Sequence, residues 1–257
     1  MNINWPKLLT ADFTLGKIIN LRKAFADSVS LLIQEPTCES LELTKLMLKV
    51  KPQYTMVTNK NLIALYRLVQ RVNKLRLPGD IVECGVWNGG SAALMGLADG
   101  QNTQNDKNRM LWLFDSFQGL PRPTEKDGNL ERANYFEGWC KGDVNKVRQI
   151  FAKLGVPPDV VRIVPGWFEN TLRNAPVDSI AILHIDADWY ESVKLVLDVF
   201  YDKVVPGGFV ILNDYGAWPG CNQAVDDFFA EHNLNDIDLT VVEPSTGAYF
   251  QKPGKTF

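Results

Sequence analysis

The chain has 257 residues, which suits one large α/β domain or two small ones and is enough to bury a substantial core. Its 27 basic and 30 acidic residues give a net charge of −3, a balance that gives no support for a nucleic-acid-binding surface. No apolar stretch approaches the roughly 20 residues needed to span a bilayer, the start has no signal-peptide pattern, and four scattered cysteines indicate reduced thiols. The sequence therefore predicts a cytoplasmic protein that binds neither membrane nor nucleic acid.

The N-terminal part of the chain is predicted to be helical. Residues 1–57 form a mostly helical extension that is broken at Pro36. A second helix follows, with Thr58 or Asn59 as its cap. It is amphipathic because apolar side chains recur at helical spacing, at Leu62, Leu65, Val69 and Val72.

From Pro78 onward, short apolar segments alternate with helical ones. The five apolar segments are, in order, GDIVECGV, MLWLFDSF, VVRIVPGWF, SIAILHIDAD and GGFVILNDY. This alternation predicts a parallel sheet that is covered by helices on both faces and joined by right-handed crossovers. Near the C-terminus, LTVVEPSTGAYFQK breaks the alternation and predicts a hairpin that adds an antiparallel strand at the edge of the sheet.

One long segment interrupts the alternation, at residues 119–142. It is polar with interspersed aromatic residues. Loops of this length in compact domains are commonly functional lids or disordered segments. We favour a lid.

A glycine-rich turn, ECGVWNGGS, follows the first strand. Its spacing is not G-x-G-x-x-G, so it lacks the dinucleotide-binding fingerprint, and it could simply close a βα unit. Asp115 ends the next strand, where an acidic residue can bind the hydroxyls of a ribose or cap a helix. An acid that binds ribose, without a pyrophosphate loop, indicates a nucleoside ligand that lacks phosphates, and S-adenosylmethionine fits that description.

Carboxylate and amide side chains end two later strands. Asp186 and Asp188 close the fourth strand, and Asn213 with Asp214 closes the fifth. In a parallel sheet both strand ends open on the same edge, where ligands of α/β proteins bind. Asp186, Asn213 and Asp214 would then supply three oxygen ligands, a set that favours Mg²⁺, Mn²⁺ or Ca²⁺ over zinc.

Each of these polar residues also has a purely structural interpretation. Asp188 could cap the helix that begins near Tyr190, and residues 213–214 could form a turn. His184 points to the same face of its strand as Asp186. It could assist catalysis, or it could simply be packed and hydrogen-bonded.

Taken together, six segments of the chain resemble one known family in both sequence and order. It is the macrocin O-methyltransferase (TylF-like) family, whose members use a metal and S-adenosylmethionine to methylate sugar hydroxyls of antibiotics and related natural products. The resemblance covers residues 52–235, approximately. The segments that carry it are TMVT, GDIVECGVWNGGS, LFDSFQGLP, GWFENTL, LHIDADWYES and PGGFVILNDYG.

The resemblance implies the class I methyltransferase fold, a Rossmann-like α/β architecture with a seven-stranded, mostly parallel sheet and a C-terminal antiparallel hairpin strand. Residues 58–257 would form the S-adenosylmethionine-binding domain. Residues 1–57 would be an extension on the side of the acceptor, which is a hydroxylated small molecule, in this family a sugar. The family also implies a homo-oligomer.

The resemblance further assigns roles to individual residues. It places around the cofactor Thr55, Met56, Thr58, Glu83, Gly85, Asp115, Ser116, Gly166, Trp167 and Phe168. Of these, Glu83 and Gly85 line its methionine part, Asp115 takes the ribose hydroxyls, and residues 166–168 border the adenine.

The resemblance also assigns the catalytic end of the site. The metal, Mg²⁺ or Mn²⁺, would be held by Asp186, Asn213 and Asp214. Asp186 would also be the general base, with help from His184. The chain departs from the family at Asn213, where an aspartate is usual, so the site carries less negative charge to balance the metal.

Two other functions remain open at this stage. The D-x-D sequence could bind a metal and the diphosphate of a nucleotide sugar, as in a metal-dependent glycosyltransferase. A non-catalytic α/β module that binds a ligand or a partner is the other alternative.

Overall fold

The computed structural model of the protein describes residues 36–100, 109–234, 236–242 and 246–254. Within them it contains eight α-helices, three short 3-10 helices and seven strands. The α-helices are α1 (Cys38–Val50), α2 (Asn59–Lys74), α3 (Gly90–Gly100), α4 (Leu130–Asn134), α5 (Val144–Leu154), α6 (Phe168–Thr171), α7 (Tyr190–Phe200) and α8 (Pro219–Glu231). The strands are β1 (Asp80–Cys84), β2 (Leu111–Asp115), β3 (Val161–Pro165), β4 (Ile180–Ile185), β5 (Val204–Leu212), β6 (Thr240–Val241) and β7 (Ala248–Gln251).

The seven strands form one sheet in the order β3-β2-β1-β4-β5-β7-β6. Strands β1 to β5 pair in parallel. Strand β7 pairs antiparallel with both β5 and β6, so it lies inside the sheet and β6 forms the edge. The predicted fold class, a seven-stranded and mostly parallel sheet with a C-terminal antiparallel hairpin, is confirmed.

Alternate side chains of the strands face two separate helical layers. One face of the sheet packs against α1, α2, α3 and α5, through residues such as Ile81 and Ile182. The other face packs against α7 and α8, through residues such as Val82 and Leu183. The central strand β4 is buried along its whole length, as a parallel strand covered on both faces must be.

Helix α2 shows how the local sequence determines these elements. The Thr58 side chain accepts a hydrogen bond from the backbone N–H of Asn61, so Thr58 is the cap. The predicted apolar positions are all buried: Leu62, Leu65, Val69 and Val72. The predicted amphipathic helix and one of its two predicted caps are confirmed.

The predicted N-terminal extension is described only from residue 36 onward, and the helical segment predicted before Pro36 lies outside the described residues. Helix α1 contributes Leu43, Met47 and Val50 to the same core as α2. The predicted division of the chain at residue 57 stays a prediction. None of the helices in the described part of the chain has the length and apolar character that a membrane crossing needs.

Candidate active site

A large cleft lies at the carboxyl ends of β1, β2, β4 and β5, with a volume of about 930 Å³. The edge of a parallel sheet at these ends is the usual ligand site of α/β folds. The cleft brings together most of the residues predicted to act: Thr55, Met56, Gly85, Asp115, Ser116, Trp167, Phe168, Asp186, Asn213 and Asp214.

The turn after β1 is built on a close approach of two strands. Gly85 has φ +91°, and a Cβ atom there would lie 1.8 Å from the carbonyl oxygen of Asp186. Only glycine leaves room for that contact. The turn therefore fixes the start of the glycine-rich loop against the end of β4, where the acidic residues begin.

The Asp115 carboxylate holds the other side of this loop. Its Oδ2 accepts hydrogen bonds from the backbone N–H groups of Val86 and Trp87, both at 2.8 Å, and its Oδ1 accepts one from Phe117 at 2.6 Å. Burial raises the pKa of Asp115, and these three bonds oppose the rise. Since a carboxylate offers about four acceptor positions, one position on Asp115 is left for a ligand hydroxyl.

Aromatic side chains border the cleft beyond Asp115. Trp167 and Phe168 line it at the start of α6. Gly166 does not line it, but its backbone N–H donates to the carbonyl of Asp115 at 2.9 Å. This bond holds the aromatic pair beside Asp115, on the side of the cleft away from the other acids.

The second half of the cleft is a cluster of buried acids around one amide. The Asn213 Nδ2 atom donates to Asp186 Oδ1 at 2.8 Å and to Asp214 Oδ1 at 3.3 Å. Its Oδ1 accepts from Asn61 Nδ2 at 2.9 Å, so the carbonyl end of the Asn213 amide faces α2. Asn61 was not predicted as a site residue.

The three carboxylates of this half of the cleft resist ionisation. Burial raises the pKa of Asp186, Asp188 and Asp214. The repulsion of Asp214 adds to the rise at both Asp186 and Asp188. The ion pairs found among the described residues include none with these three acids. Attraction to the buried His184 opposes the rise at Asp214, and the three acids themselves have no paired positive charge in this part of the chain.

The donor set fits a hard divalent cation. Oxygen atoms of Asp186 and Asp214 converge on a single atom, Asn213 Nδ2, so one ion could contact both carboxylates. Such an ion would also remove the repulsion that raises their pKa values. Asn213 can supply a third oxygen only if its amide turns over.

Asp188 lies at the mouth of this cluster and does not cap α7. The N-cap residue of helix α7 is Trp189. Asp188 has φ +54°, in the left-handed region of backbone conformation, which is strained for a residue other than glycine. The Asp188 backbone N–H donates to Asp214 Oδ2 at 3.0 Å. Asp188 is thus a third carboxylate lining this half of the cleft, held in place through Asp214.

Glu83 and His184 lie beneath the cleft, where they form a buried pair. They are neighbours on β1 and β4, both side chains are 0% exposed, and Glu83 Oε1 lies 2.8 Å from His184 Nδ1. The outer atoms Glu83 Oε2 and His184 Nε2 have no hydrogen-bond partner in the described structure. Neither side chain lines the cleft, and their assigned roles stay predictions, as do those of Gly166 and of Thr58, which caps α2.

The predicted lid, residues 119–142, contributes residues such as Leu120, Asp127 and Cys140 to the lining of the cleft, and its action as a lid stays a prediction. It contains a 3-10 helix, Glu125–Asp127, and α4. Asp127 is buried and accepts hydrogen bonds from the N–H groups of Thr124 and of Tyr190, the first residue of α7. Trp189 donates from its ring to the Pro121 carbonyl at 3.0 Å. Two of the segment's contacts thus go to residues that directly follow Asp188.

A cysteine of the lid faces the acids. Cys140 lines the cleft, and burial together with Asp188, Asp186, Asp214 and Asp115 raises the pKa of its thiol to about 12. The thiol is therefore neutral at physiological pH. No sequence pattern distinguishes Cys140 from the other three cysteines.

Comparison with known proteins identifies one matching family model, Macrocin-O-methyltransferase (TylF), over residues 35–252. A demethyldecarbamoylnovobiocin O-methyltransferase from Streptomyces niveus is 36% identical over 207 residues, which are 77% of this chain and 76% of that protein. The 8-demethyl-8-(2,3-dimethoxy-alpha-L-rhamnosyl)-tetracenomycin-C 4'-O-methyltransferase from Streptomyces olivaceus is 36% identical over 186 residues, 71% of this chain and 70% of that protein.

A similar protein of known structure is the O-methyltransferase NovP. It superposes with a TM-score of 0.70 at 35% sequence identity, over 78% of this chain and 83% of its own. The similarity therefore extends across the sheet and the cleft described above.

Proposed function

The chain belongs to the macrocin O-methyltransferase (TylF) family and is an O-methyltransferase with the class I fold, and from this premise we propose that it transfers a methyl group from S-adenosylmethionine to a sugar hydroxyl of a glycosylated natural product. The relative whose name specifies a rhamnosyl group and a 4'-O-methyltransferase activity supports a sugar as the acceptor. The observation that carries the proposal is the division of one cleft into two halves, one suited to a nucleoside and one to a cation with a hydroxyl and a neighbouring oxygen of a sugar.

The cofactor would occupy the half of the cleft at Gly85, Asp115 and Trp167. The free acceptor position on Asp115 would bind a ribose hydroxyl, and Trp167 with Phe168 would border the adenine. Thr55 and Met56 would cover the methionine end. Met56 is 58% exposed, so its side chain is available to a ligand at the mouth of the cleft.

The acceptor would bind in the acidic half. A divalent cation held there by Asp186, Asp214 and the carbonyl oxygen of Asn213 would supply the positive charge that orients a hydroxyl and a neighbouring oxygen of the sugar and lowers the pKa of the hydroxyl. Asp186 would take the proton from that hydroxyl, since its carboxylate would lie beside the hydroxyl at the same cation. Asp188 is the third carboxylate within the same half.

The lid would exclude water from the transfer. Its contacts with Trp189 and Tyr190 fix it over the acidic half. Exclusion of water strengthens the interaction between charges inside the cleft. The remaining contribution of the chain would be to hold the donor and acceptor in line.

The first test is calorimetric titration of the full chain with S-adenosylhomocysteine, with and without Mg²⁺. Micromolar or tighter binding is expected. Tight binding of a nucleotide sugar, with none of S-adenosylhomocysteine, would instead indicate the glycosyltransferase that the D-x-D sequence left open.

The acceptor class is tested with matched glycosides. Rhamnosides that carry a free hydroxyl beside a second oxygen, either a hydroxyl or a methoxy group, should accept a methyl group, and matched deoxy glycosides that lack the second oxygen should react far more slowly. Equal rates with both would contradict the two-oxygen arrangement while leaving methyl transfer itself intact.

A further inference from the structure

The Asn61–Asn213 amide pair has an unusual feature: an unused hydrogen-bond acceptor. Asn61 is 2% exposed, and its Nδ2 donates to Asn213 Oδ1. The other end of the same amide, Asn61 Oδ1, is buried with no partner in the described structure. A buried oxygen left unpaired is costly, and such groups in native proteins call for an explanation.

The Asn213 amide determines what the two carboxylates face. In the arrangement described, its NH₂ group faces Asp186 and Asp214, which suits two anions without a cation. A cation needs the opposite arrangement, with the Asn213 oxygen toward the site. If Asn213 alone turned over, its NH₂ group would face the NH₂ group of Asn61, and two donors would oppose each other.

The opposition disappears if both amides turn together. Asn61 Oδ1 would then accept from Asn213 Nδ2, and the Asn61 NH₂ group would take the buried position where the oxygen now has no partner. A Cβ atom at Gly247 would lie 2.5 Å from Asn61 Nδ2 and 2.6 Å from Oδ1, so both ends of the amide lie against a position where only glycine leaves room for them.

We propose that Asn61 is a positioning residue for the cation site: it sets which end of the Asn213 amide faces Asp186 and Asp214, and both amides turn over together when a divalent cation binds. This inference rests on the cation site of the proposed function. It assigns a role to a residue on α2, 152 positions from its partner in sequence.

The proposal is tested by calorimetric titration of the full chain with Mn²⁺. In Asn61→Asp, residue 61 can only accept, so Asn213 must point its oxygen at the cation. Asn59→Asp is the matched control, because it makes the same charge change at an equally buried position on the same helix. Asn61→Leu keeps the shape but removes the donor. Titration with S-adenosylhomocysteine and thermal unfolding report whether each variant is folded.

The expected result is that Asn61→Asp binds Mn²⁺ about tenfold more tightly than Asn59→Asp, the size of one net hydrogen bond. Asn61→Leu should bind at least as tightly as the unmodified chain. Equal affinities of the two aspartate variants, or clearly weaker binding by Asn61→Leu, would overturn the proposal. So would a chain that binds S-adenosylhomocysteine but no cation, a result that leaves methyl transfer standing.

A second measurement needs no folded variant. In the chain labelled with ¹⁵N at asparagine, Mg²⁺ should shift the side-chain NH₂ signals of Asn61 and Asn213 together. A shift of Asn213 alone would show that its amide turns over without Asn61, and the proposal would be wrong.

Discussion

At the scale of single residues, the acidic half of the cleft contains two aspartates, Asp186 and Asp188, whose surroundings differ. Asp186 lies against Asn213, whereas Asp188 has a strained backbone and its N–H bonded to Asp214. Both carboxylates line the cleft. Substitution of each aspartate in turn therefore tests which of the two receives the proton.

Replacement of Asp186 by Asn should lower the turnover number by about 10² to 10⁴, because a general base and a cation ligand are lost together. The affinity for S-adenosylhomocysteine should stay within about threefold, since Asp186 is in the half of the cleft away from Asp115. Steady-state kinetics and calorimetry measure the two effects. Asp188→Asn is the matched control: if it alone abolished turnover while Asp186→Asn retained it, Asp188 would be the base.

Two cysteines, Cys38 and Cys140, are not fully buried, and Cys140 should react with iodoacetamide more slowly than Cys38. With a pKa of about 12, its thiolate is so scarce at pH 8 that iodoacetamide should modify it about a thousandfold more slowly than an ordinary exposed thiol. Cys38, which is exposed, is the internal reference. Peptide mass spectrometry over a time course measures both rates. Equal rates would mean that burial and the carboxylates do not raise the pKa of the Cys140 thiol.

At the scale of elements, the lid is fastened by a carboxylate between two helix starts. Asp127 Oδ1 binds the first N–H of α7, and a Cβ atom at Gly220, near the start of α8, would lie 2.0 Å from that same oxygen. Asp127 Oδ2 accepts from the N–H and the hydroxyl of Thr124. Position 127 thus requires a side chain with two accepting oxygens, and position 220 beside it requires glycine.

Asp127→Asn should destabilise the protein by about 1–3 kcal/mol, because one of these buried donors loses its acceptor. Asp143, the exposed cap of α5, provides the control. Asp143→Asn should change the free energy of unfolding by only a few tenths of a kcal/mol, since Asn caps helices about as well as Asp. Denaturant unfolding of the two variants gives the comparison. Similar losses would show that Asp127 does not fasten the lid.

The elements were predictable from the sequence to a greater extent than the contacts between them. All five parallel strands and the hairpin follow from local alternation of apolar and polar segments, which reports burial directly. The pairs Asn61–Asn213, Glu83–His184 and Asp127–Tyr190 join residues that are 152, 101 and 63 positions apart. Such pairing depends on how strands are ordered and how helices pack, which no local pattern encodes. For the same reason Asn61 and Cys140 were missed, and Asp188 was left undecided.

At the scale of the whole molecule, stability should depend on pH through the acidic cluster. The pKa values of Asp186, Asp188 and Asp214 are raised in the folded state, so the folded chain holds protons that the unfolded chain has released. The stability of the cation-free protein is therefore lost as pH rises from about 4 through the folded pKa values. Below about pH 4 these carboxyl groups are protonated in both the folded and the unfolded chain, so they no longer make the free energy of unfolding depend on pH.

The double variant Asp186→Asn/Asp214→Asn isolates this effect. In EDTA, its free energy of unfolding relative to the unmodified chain should increase as pH rises above about 4. Mg²⁺ should reverse the difference by stabilising only the unmodified chain. Thermal unfolding between pH 4 and 8, with EDTA or with Mg²⁺, measures both. A difference that does not vary with pH would mean that the buried acids ionise in the folded state as easily as in water.

The position of β7 has a consequence for biosynthesis. Strand β5, whose end carries Asn213 and Asp214, is flanked by β4 on one side and on the other by a strand made from residues 248–251. While the chain is being translated, β1 to β4 can assemble as soon as they emerge from the ribosome, but β5 keeps an open edge until β7 follows. The half of the cleft that would receive the cofactor can thus form early, and the acidic half matures only after residues 248–251 have been made.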